Sequence, residues 1–345
     1  MTNRSPRKKM PAQQVNSPPP PSATGFSTLH PDIVEAHILP RLDGPSLASA
    51  ACCTTTLRRH SGQDNLWSNI CHSTWPSTAA SPQVSQLISA FPNGGPRTFF
   101  SHAFPLLTDQ SCHGHSSLIP PPPELLSAVD IKYHDNLIFT KLHETSTDGG
   151  WFRSSPFRID LLEPKDVVPT AVKYLAGDES AAEILDSMTL SWILIDPIGR
   201  RAANISSHKP VAVQRHWLTG ELQVRFASIL ATAGHGHVQA GIVVTCGGSE
   251  SGEMQVREVK LEIEDVDGIQ LNGKDSMVIL EGALAGKKGT GKNRVREGRR
   301  RYREFEKTKR ERRERKLRTE GALDMLCLAS GVSIVLAFWC YFLCR

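Results

Sequence analysis

No Cys-x-x-Cys pair occurs among the eight cysteines of this chain. That absence removes the paired ligand spacing of a structural zinc site and any regular disulfide framework. The first residues, MTNRSPRKKM, hold no apolar run, so no secretory signal peptide is expected. Both absences point to a reducing, cytosolic environment, in which the Asn204-Ile205-Ser206 sequon stays idle. No Ser/His/Asp set or carboxylate pair stands out, so no catalysis and no enzyme class is assigned. The stretch Gly286-Lys287-Lys288-Gly289-Thr290-Gly291-Lys292-Asn293 nearly fits a phosphate-binding loop. It lacks the Ser or Thr after the lysine that would hold magnesium. Cys112-His113-Gly114-His115, and His235-Gly236-His237 with Cys246, read as loop histidines beside glycine, short of a four-ligand site. Neither a metal nor a cofactor is expected.

What the chain does hold is a strong charge asymmetry. At 345 residues it has room for about two domains. Residues 287–318 carry 17 Lys and Arg against 5 Glu, and Arg4, Arg7, Lys8 and Lys9 add +4 at the start. With the whole chain at +5 and residues past 318 at −1, residues 27–286 hold −10. An acidic body on a basic stalk disfavours nucleic acid as the partner of the body.

Composition divides the chain into a basic Pro/Ser-rich arm over 1–26, expected to be extended or disordered, and a helical unit over 27–72. A linker with short helices covers 73–127, with one helix expected near Gln83 to Phe91 and a tether through DQSCHGHSS and the prolines at 120–123. A β-rich domain spans 128–286. Within it the predicted strands are 136–142, 151–161, 191–196, 211–213, 221–229, 238–246, 254–263 and 277–280, with one helix from Glu179 to Met188. Strand runs without βαβ alternation favour an antiparallel sandwich over a doubly wound sheet. Trp192 and Trp217 are expected as core anchors. The fold class is therefore α+β: a small helical bundle, a β-rich sandwich-like domain, a charged helix and a C-terminal transmembrane helix.

Residues 27–72 carry the most information. Pro31 suits a first helical turn, and Val34, Ile38 and Leu42 fall on one face, flanked by Ile33 and Leu39. Pro40 should end or kink that helix near Leu39. Asp43-Gly44-Pro45 restarts the chain with an N-cap, small residues at 48, 50 and 51 allow close approach, and Leu57, Leu66, Trp67 and Ile70 close the bundle. This stretch resembles an F-box. Members carry a leading Leu-Pro, an Ile-Leu-x-x-Leu turn, a leucine opening the second helix and a late Leu-Trp. Here Leu29 with Pro31, Ile38-Leu39 with Leu42, Leu47, and Leu66-Trp67 stand in those places. His30 separates the leucine from the proline, and Cys52-Cys53 replace a common Val-Ser pair.

The order of the whole chain resembles plant F-box proteins in which a β-rich domain follows the F-box. Ser191–Asp196 and the segment from Val256-Arg257-Glu258-Val259 through Gly273 carry that likeness. The resemblance implies a substrate receptor of an SCF-type (cullin–RING) ubiquitin ligase. It implies docking on a Skp-type adaptor, and through it a cullin, by Leu29, Pro31, Ile33, Leu39, Leu42 and Leu47, with Ile38, Leu66 and Trp67 as F-box core. The client would be a protein that the motifs do not name.

Residues 287–321 read as an Arg-rich juxtamembrane segment in which Glu306–Arg310 and Glu311–Arg315 are spaced to support an exposed helix. Residues 325–344 contain no charged side chain and are long enough for a hydrocarbon layer of about 30 Å. Trp339 and Tyr341 lie toward the far end, and the basic block before the tail satisfies the positive-inside rule. The segment 322–345 thus resembles a tail anchor with the body in the cytosol, lipid contacting the basic block, and Ala329, Ser333 and Ala337 on a helix-pairing face. Two other readings stand beside this one. The chain could be a membrane-tethered scaffold or lectin-like module without ligase function, or a nuclear protein using the basic stalk.

Overall fold

The architecture comes from a computed structural model that describes residues 29–107, 122–174, 179–232, 236–286, 288–289 and 294–344. The basic arm and the Cys112–His115 cluster lie outside the described residues, as does His235. The chain forms two compact units, the first ending at Ser61 and the second beginning at Gly62.

In the first unit, helix α1 (Pro31–Ile33) opens with Pro31 and an N-cap from His30, whose side chain accepts from the Asp32 N–H. It loosens into a π turn, Val34–Ile38, and tightens into a 3-10 turn, Leu39–Arg41, before Leu42 turns extended. The disruption expected from Pro40 is therefore present. Pro40 has no N–H to donate, so the α-helical bond pattern cannot run through it. Helix α2 (Gly44–Cys53) is capped by Asp43, which accepts from Ser46 N–H at 2.9 Å. Helix α3 (Thr55–His60) is capped by Thr54 and packs beside α2. His60 is buried and hydrogen-bonds Glu35, clasping α3 to the π turn.

The second unit begins with helix α4 (Asp64–Thr74), a 3-10 turn (Pro76–Ala79), α5 (Pro82–Ser89) and α6 (Gly95–Ala103). An aromatic cluster holds these together. Trp67 lies 5.4 Å from Phe100 between ring centroids, Trp75 meets Phe99 and Phe100 at 5.9 and 5.3 Å, and Phe91 meets Phe99 at 5.4 Å. Rings of this size bury roughly 150–250 Å² each, enough to fix three short helices that propensity alone would not.

Among the described residues, ten strands follow in two antiparallel sheets. β1 (Glu124–Tyr133), β2 (Asn136–Ser146), β5 (Met188–Asp196) and β6 (Arg201–Asn204) form the first, in the order β2-β1-β5-β6. β3 (Arg158–Asp160), β10 (Glu253–Asp265), β9 (Gly236–Gly248), β8 (Leu222–Thr232) and β7 (Ala212–Arg215) form the second, with β4 (Val168–Lys173) also pairing β10. Helices α7 (Gly150–Ser154), α8 (Glu179–Ser187) and α9 (Gly273–Ala285) complete the domain. Val129, Trp192, Phe226, Ile242, Leu261 and Leu280 share one apolar core drawn from both sheets and α9. The expected antiparallel, sandwich-like β domain is what the chain forms.

Three local expectations fail. Residues 277–280 belong to α9, because Asn272 caps a helix instead of turning a hairpin: it accepts from Asp275 N–H at 2.8 Å and its amide reaches the Asp275 carboxylate. A four-residue apolar run does not by itself separate a strand from a buried helix. Residues 151–161 divide into α7 and β3, since Gly273 must approach Phe152 closely: a Cβ on Gly273 would meet the Phe152 carbonyl oxygen at 2.1 Å. Trp192 is fully buried as expected, but Trp217 is 87% exposed on the β7–β8 turn.

Two polar nodes lock the domain. Arg201 binds Asp196 at 2.6 Å and Glu281 at 2.8 Å, tying the β5–β6 turn to α9. Burial opposes the Arg201 charge, yet hydrogen bonds to Glu281 and Asp196 outweigh it and lift the guanidinium above its usual range. Asp130 points from β1 toward the helices, accepting from Ser77 N–H at 2.9 Å, Ser77 hydroxyl at 2.5 Å and Thr140 hydroxyl at 2.8 Å. Beside it Lys132 caps α4 through the Thr74 carbonyl at 3.0 Å.

Burial raises the Asp130 carboxyl above its ordinary value, and the bonds from Ser77 and Thr140 only partly offset this. A raised native pKa stabilises the fold most below the ordinary carboxylate value, and that share is lost as pH climbs through the native pKa. Asp130→Asn removes this component and keeps an acceptor for Ser77 N–H. Urea titrations of the two proteins should therefore show wild type gaining stability over Asp130→Asn as pH falls from neutral. A difference that stays constant or reverses on acidification would contradict the assignment.

Candidate functional site

Three surfaces are available to partners, and the first lies in the N-terminal unit. Leu29 and Ile33 are 40% and 44% exposed, Pro31 is exposed with them, and Leu42 is half-buried. Leu39 and Leu47 are buried, each under 2% exposed, together with Val34 and Ala51. The six residues expected to form one ridge thus split into a solvent-facing group (Leu29, Pro31, Ile33, with Leu42 at its margin) and a packing group (Leu39, Leu47). Ile38 is half-buried, while Leu66 and Trp67 are buried. Trp67 packs on Phe100 and carries Arg97 over its ring at 5.8 Å, so its partners come from α6, well past residue 72.

The second surface is a cleft of about 490 Å³ between the β2 edge and the β3–β4 connection. Lys141, His143, Arg158, Asp160, Glu258 and Arg257 line it. Its charges largely satisfy one another: Arg158 pairs with Asp160 at 2.6 Å, and Lys141 donates to the Leu161 carbonyl at 2.5 Å. Burial and the neighbouring Lys141 charge lower the His143 pKa, which keeps that imidazole neutral at pH 7. Nothing in this cleft has the geometry of a nucleophile or a metal centre. Among the described residues no group of three or more His, Cys, Asp or Glu could hold a metal ion. His237 and Cys246 stand nine positions apart on β9, hence on opposite faces, and burial pushes the Cys246 thiol up to about 12. Lys288, part of the near-match to a phosphate-binding loop, instead caps α9 through the Ala283 and Leu284 carbonyls at 2.5 and 3.2 Å.

The third surface belongs to helix α10 (Arg294–Leu343), one helix of 50 residues. Its first turns are not wholly solvated. Arg299 donates to the carbonyls of Pro210 and Leu185 at 3.0 and 2.8 Å, and Tyr302 is buried beside Arg225. Phe305 joins Ile229 and Val266 in a small apolar cluster, Lys309 pairs with Glu264 at 2.8 Å and Arg312 with Asp267 at 3.3 Å. The spacing 299, 302, 305, 309, 312 is a helical stripe, hidden in the sequence by the arginines and glutamates on the other faces. Beyond Arg312 the helix leaves the body, with Glu311 and Arg315 paired at 3.8 Å on its surface. The helix spanning 295–343 contains an apolar window long enough to cross a membrane by length and composition, and that window is 0% buried.

Known proteins resemble this chain over nearly its full length. A probable F-box protein of Arabidopsis thaliana is 44% identical over 309 residues, covering 89% of this chain and 90% of the relative. A second Arabidopsis F-box protein is 42% identical over 334 residues, 93% of this chain and 97% of the relative. A third is 38% identical over 336 residues, 93% and 91% respectively. No family model and no solved structure matches the chain. An F-box followed by a β sandwich therefore defines the class, and the chain belongs to the plant F-box protein family.

The α10 clamp is separable from the rest of the fold. Phe305→Asp places a carboxylate in the Ile229–Val266 cluster and should release the helix from the sheet. Hydrogen exchange in residues 299–312 should then speed up by at least tenfold while strands β8 and β9 keep their protection. Unchanged exchange in that segment would show that the stripe does not hold the helix.

Proposed function

We propose that this chain is the substrate-recognition subunit of an SCF-type ubiquitin ligase, held at a membrane by its C-terminus. The observation that carries the reading is the apolar group Leu29, Pro31 and Ile33, left exposed on an F-box whose Leu39 and Leu47 are buried. Exposed large apolar residues at the start of a helical unit are suited to bury against a partner, here a Skp-type adaptor and through it a cullin. Family membership supports that partner class. Leu42 would sit at the edge of the contact, and Leu39 and Leu47 would support it from beneath.

The chain performs no bond chemistry in this reading. It brings a client bound by the β domain near the ligase, so its contribution is proximity. The apolar segment 325–344 would insert as a single pass, and the basic residues before it would remain on the cytosolic side beside anionic headgroups.

The exposure pattern selects the test. Leu29→Asp with Ile33→Asp changes solvent-facing positions and should leave the circular dichroism spectrum and melting temperature unchanged. It should reduce adaptor recovery at least tenfold from detergent-solubilised membranes, and cullin should fall with it. A copy lacking residues 322–345 should recover adaptor and cullin from the soluble fraction. Full adaptor recovery with the double variant would remove the docking assignment. Recovery of neither protein with the unaltered chain would turn the account to a tethered scaffold.

A further inference from the structure

Of the three surfaces, the cleft beside β2 is left without a partner by the adaptor and the membrane. β2 is an edge strand of 11 residues, and among the described residues only β1 bonds to its backbone. The other edge strands, β3, β4, β6 and β7, run for only three to six residues. Short edges limit pairing with other chains, whereas a long open edge offers a row of unpaired N–H and C=O groups. The wall across the cleft is held in place. Leu161 N–H donates to the Val259 carbonyl at 2.9 Å and Asp166 N–H to the Glu163 carbonyl at 2.8 Å. Lys141 reaches from β2 to the Leu161 carbonyl at 2.5 Å. The slot is therefore preformed, and a bound segment need not order it.

Polar groups stand behind the slot. Lys141, His143 and Thr145 alternate along β2 and so share one face with Ser127, the cross-strand neighbour of His143 on β1. Val129 pairs with both Lys141 and Trp192, which places Trp192 on that face as well. Ser127 and Trp192 are fully buried, yet the Ser127 hydroxyl and the Trp192 indole N–H have no hydrogen-bond partner, and nor has the Thr145 hydroxyl. Buried polar groups are ordinarily paired, so three unpaired ones on one face beside a cleft mark a place for polar groups of another molecule. Glu163 and Asp166 add a preference of charge. Both are exposed, and neither carboxylate has a hydrogen-bond or ion-pair partner among the described residues. The arginines of the cleft are held already, Arg158 by Asp160 at 2.6 Å and Arg257 by Glu221 at 2.7 Å. Lys165, between the two free carboxylates in sequence, does not line the cleft.

These features select one kind of occupant. A space of about 490 Å³ admits a few residues of chain and excludes a folded domain. Sites for small organic molecules are mostly apolar, and this lining is mostly charged. A second copy would bring together two bodies that each hold −10 over residues 27–286, with Glu163 and Asp166 of each facing an acidic partner. An extended peptide answers every feature at once. Its backbone pairs with the open edge, alternate side chains turn toward His143 and the hydroxyls behind it, and a lysine or arginine meets the free carboxylates.

We propose that the β domain takes its client in this cleft, as an extended basic segment that adds to the open edge of β2 as a further strand. The proposal rests on the receptor reading above, and names the site and the chemistry of the client. A library of random nine-residue peptides is selected against the detergent-solubilised full-length chain, and the most enriched peptide is synthesised for affinity measurement. Two further copies of that peptide carry N-methyl groups on alternate amides, one copy in each register. A strand that joins an edge uses the N–H groups of every second residue only. Adaptor recovery is scored separately in the same preparations.

Enriched peptides should carry lysine or arginine, and methylation in one register should weaken binding at least tenfold while the other register stays within threefold. Glu163→Lys with Asp166→Lys should weaken it at least tenfold. Glu250→Lys with Glu320→Lys, the same change of charge on exposed carboxylates elsewhere, should leave it within twofold. Neither pair should alter adaptor recovery. No enriched peptide, equal effects of the two methylation registers, or indifference to the Glu163 and Asp166 changes would overturn the proposal and leave the ligase reading intact. Displacement of the selected peptide by one of residues 1–26 would give the slot to the chain's own basic arm. Binding that falls as the chain is concentrated would give it to a second copy, and either result would overturn the client assignment. Absence of adaptor from the unaltered chain would instead mark failure of the ligase reading itself.

Discussion

A buried carboxylate anchors the helical lead of the second unit to the sheets. Asp130 faces out of the sandwich core on β1, where Ser77 supplies both a backbone N–H and a hydroxyl and Thr140 a second hydroxyl. The Ser77 N–H is buried and would lose its partner if the carboxylate moved, so the 3-10 turn at 76–79 can sit in one place only. Through that turn the aromatic cluster of Trp67, Trp75, Phe99 and Phe100 acquires a fixed bearing on β1. Helices α4 to α6 of the second unit are thereby tied to its β domain.

The far side of the same domain is set by α10. A free basic stalk would let the body wander over any surface the tail enters. Arg299, Phe305, Lys309 and Arg312 instead clamp about four turns of the helix along β8 and the end of β10. On the proposed tether, the same rod that enters the membrane fixes which end of the sandwich faces it. A surface on the opposite end is then presented to the cytosol.

Much of this was legible in the residues. Alternation and turn signals placed β2, β5, β8, β9 and β10 close to their actual limits, and Asp43, Pro40 and Pro31 read correctly as the punctuation of the first unit. The fully apolar 277–280 run was ambiguous by nature, and Asn272 with Asp275 held the information that resolves it as a helix. β1 begins at Glu124, directly after prolines that read as tether, while β6 and β4 are short and depend on partners distant in sequence. The stripe on α10 was obscured because only two of its positions, Tyr302 and Phe305, are aromatic while the rest are charged. For the candidate site, the apolar residues expected on the ridge could be named, but their division into exposed and buried could not. Leu39 and Leu47 have the same apolar character as Leu29 and Ile33, and only the packed structure separates a residue that supports a surface from one that forms it. Trp217 misled for the complementary reason. Large aromatics are usually buried, and nothing in a single sequence announces one that is held out in water by its neighbours.

The central claim is that one chain carries an outward-facing F-box and a membrane tail together. Flotation tests it most directly, with the purified full-length chain reconstituted in vesicles and a Skp-type adaptor and cullin added in solution. The account predicts that adaptor and cullin rise with the vesicles when the chain is present and stay below when Leu29 and Ile33 are both changed to aspartate. Vesicles that carry the chain upward without the adaptor, or a chain that stays in the soluble fraction, would contradict it.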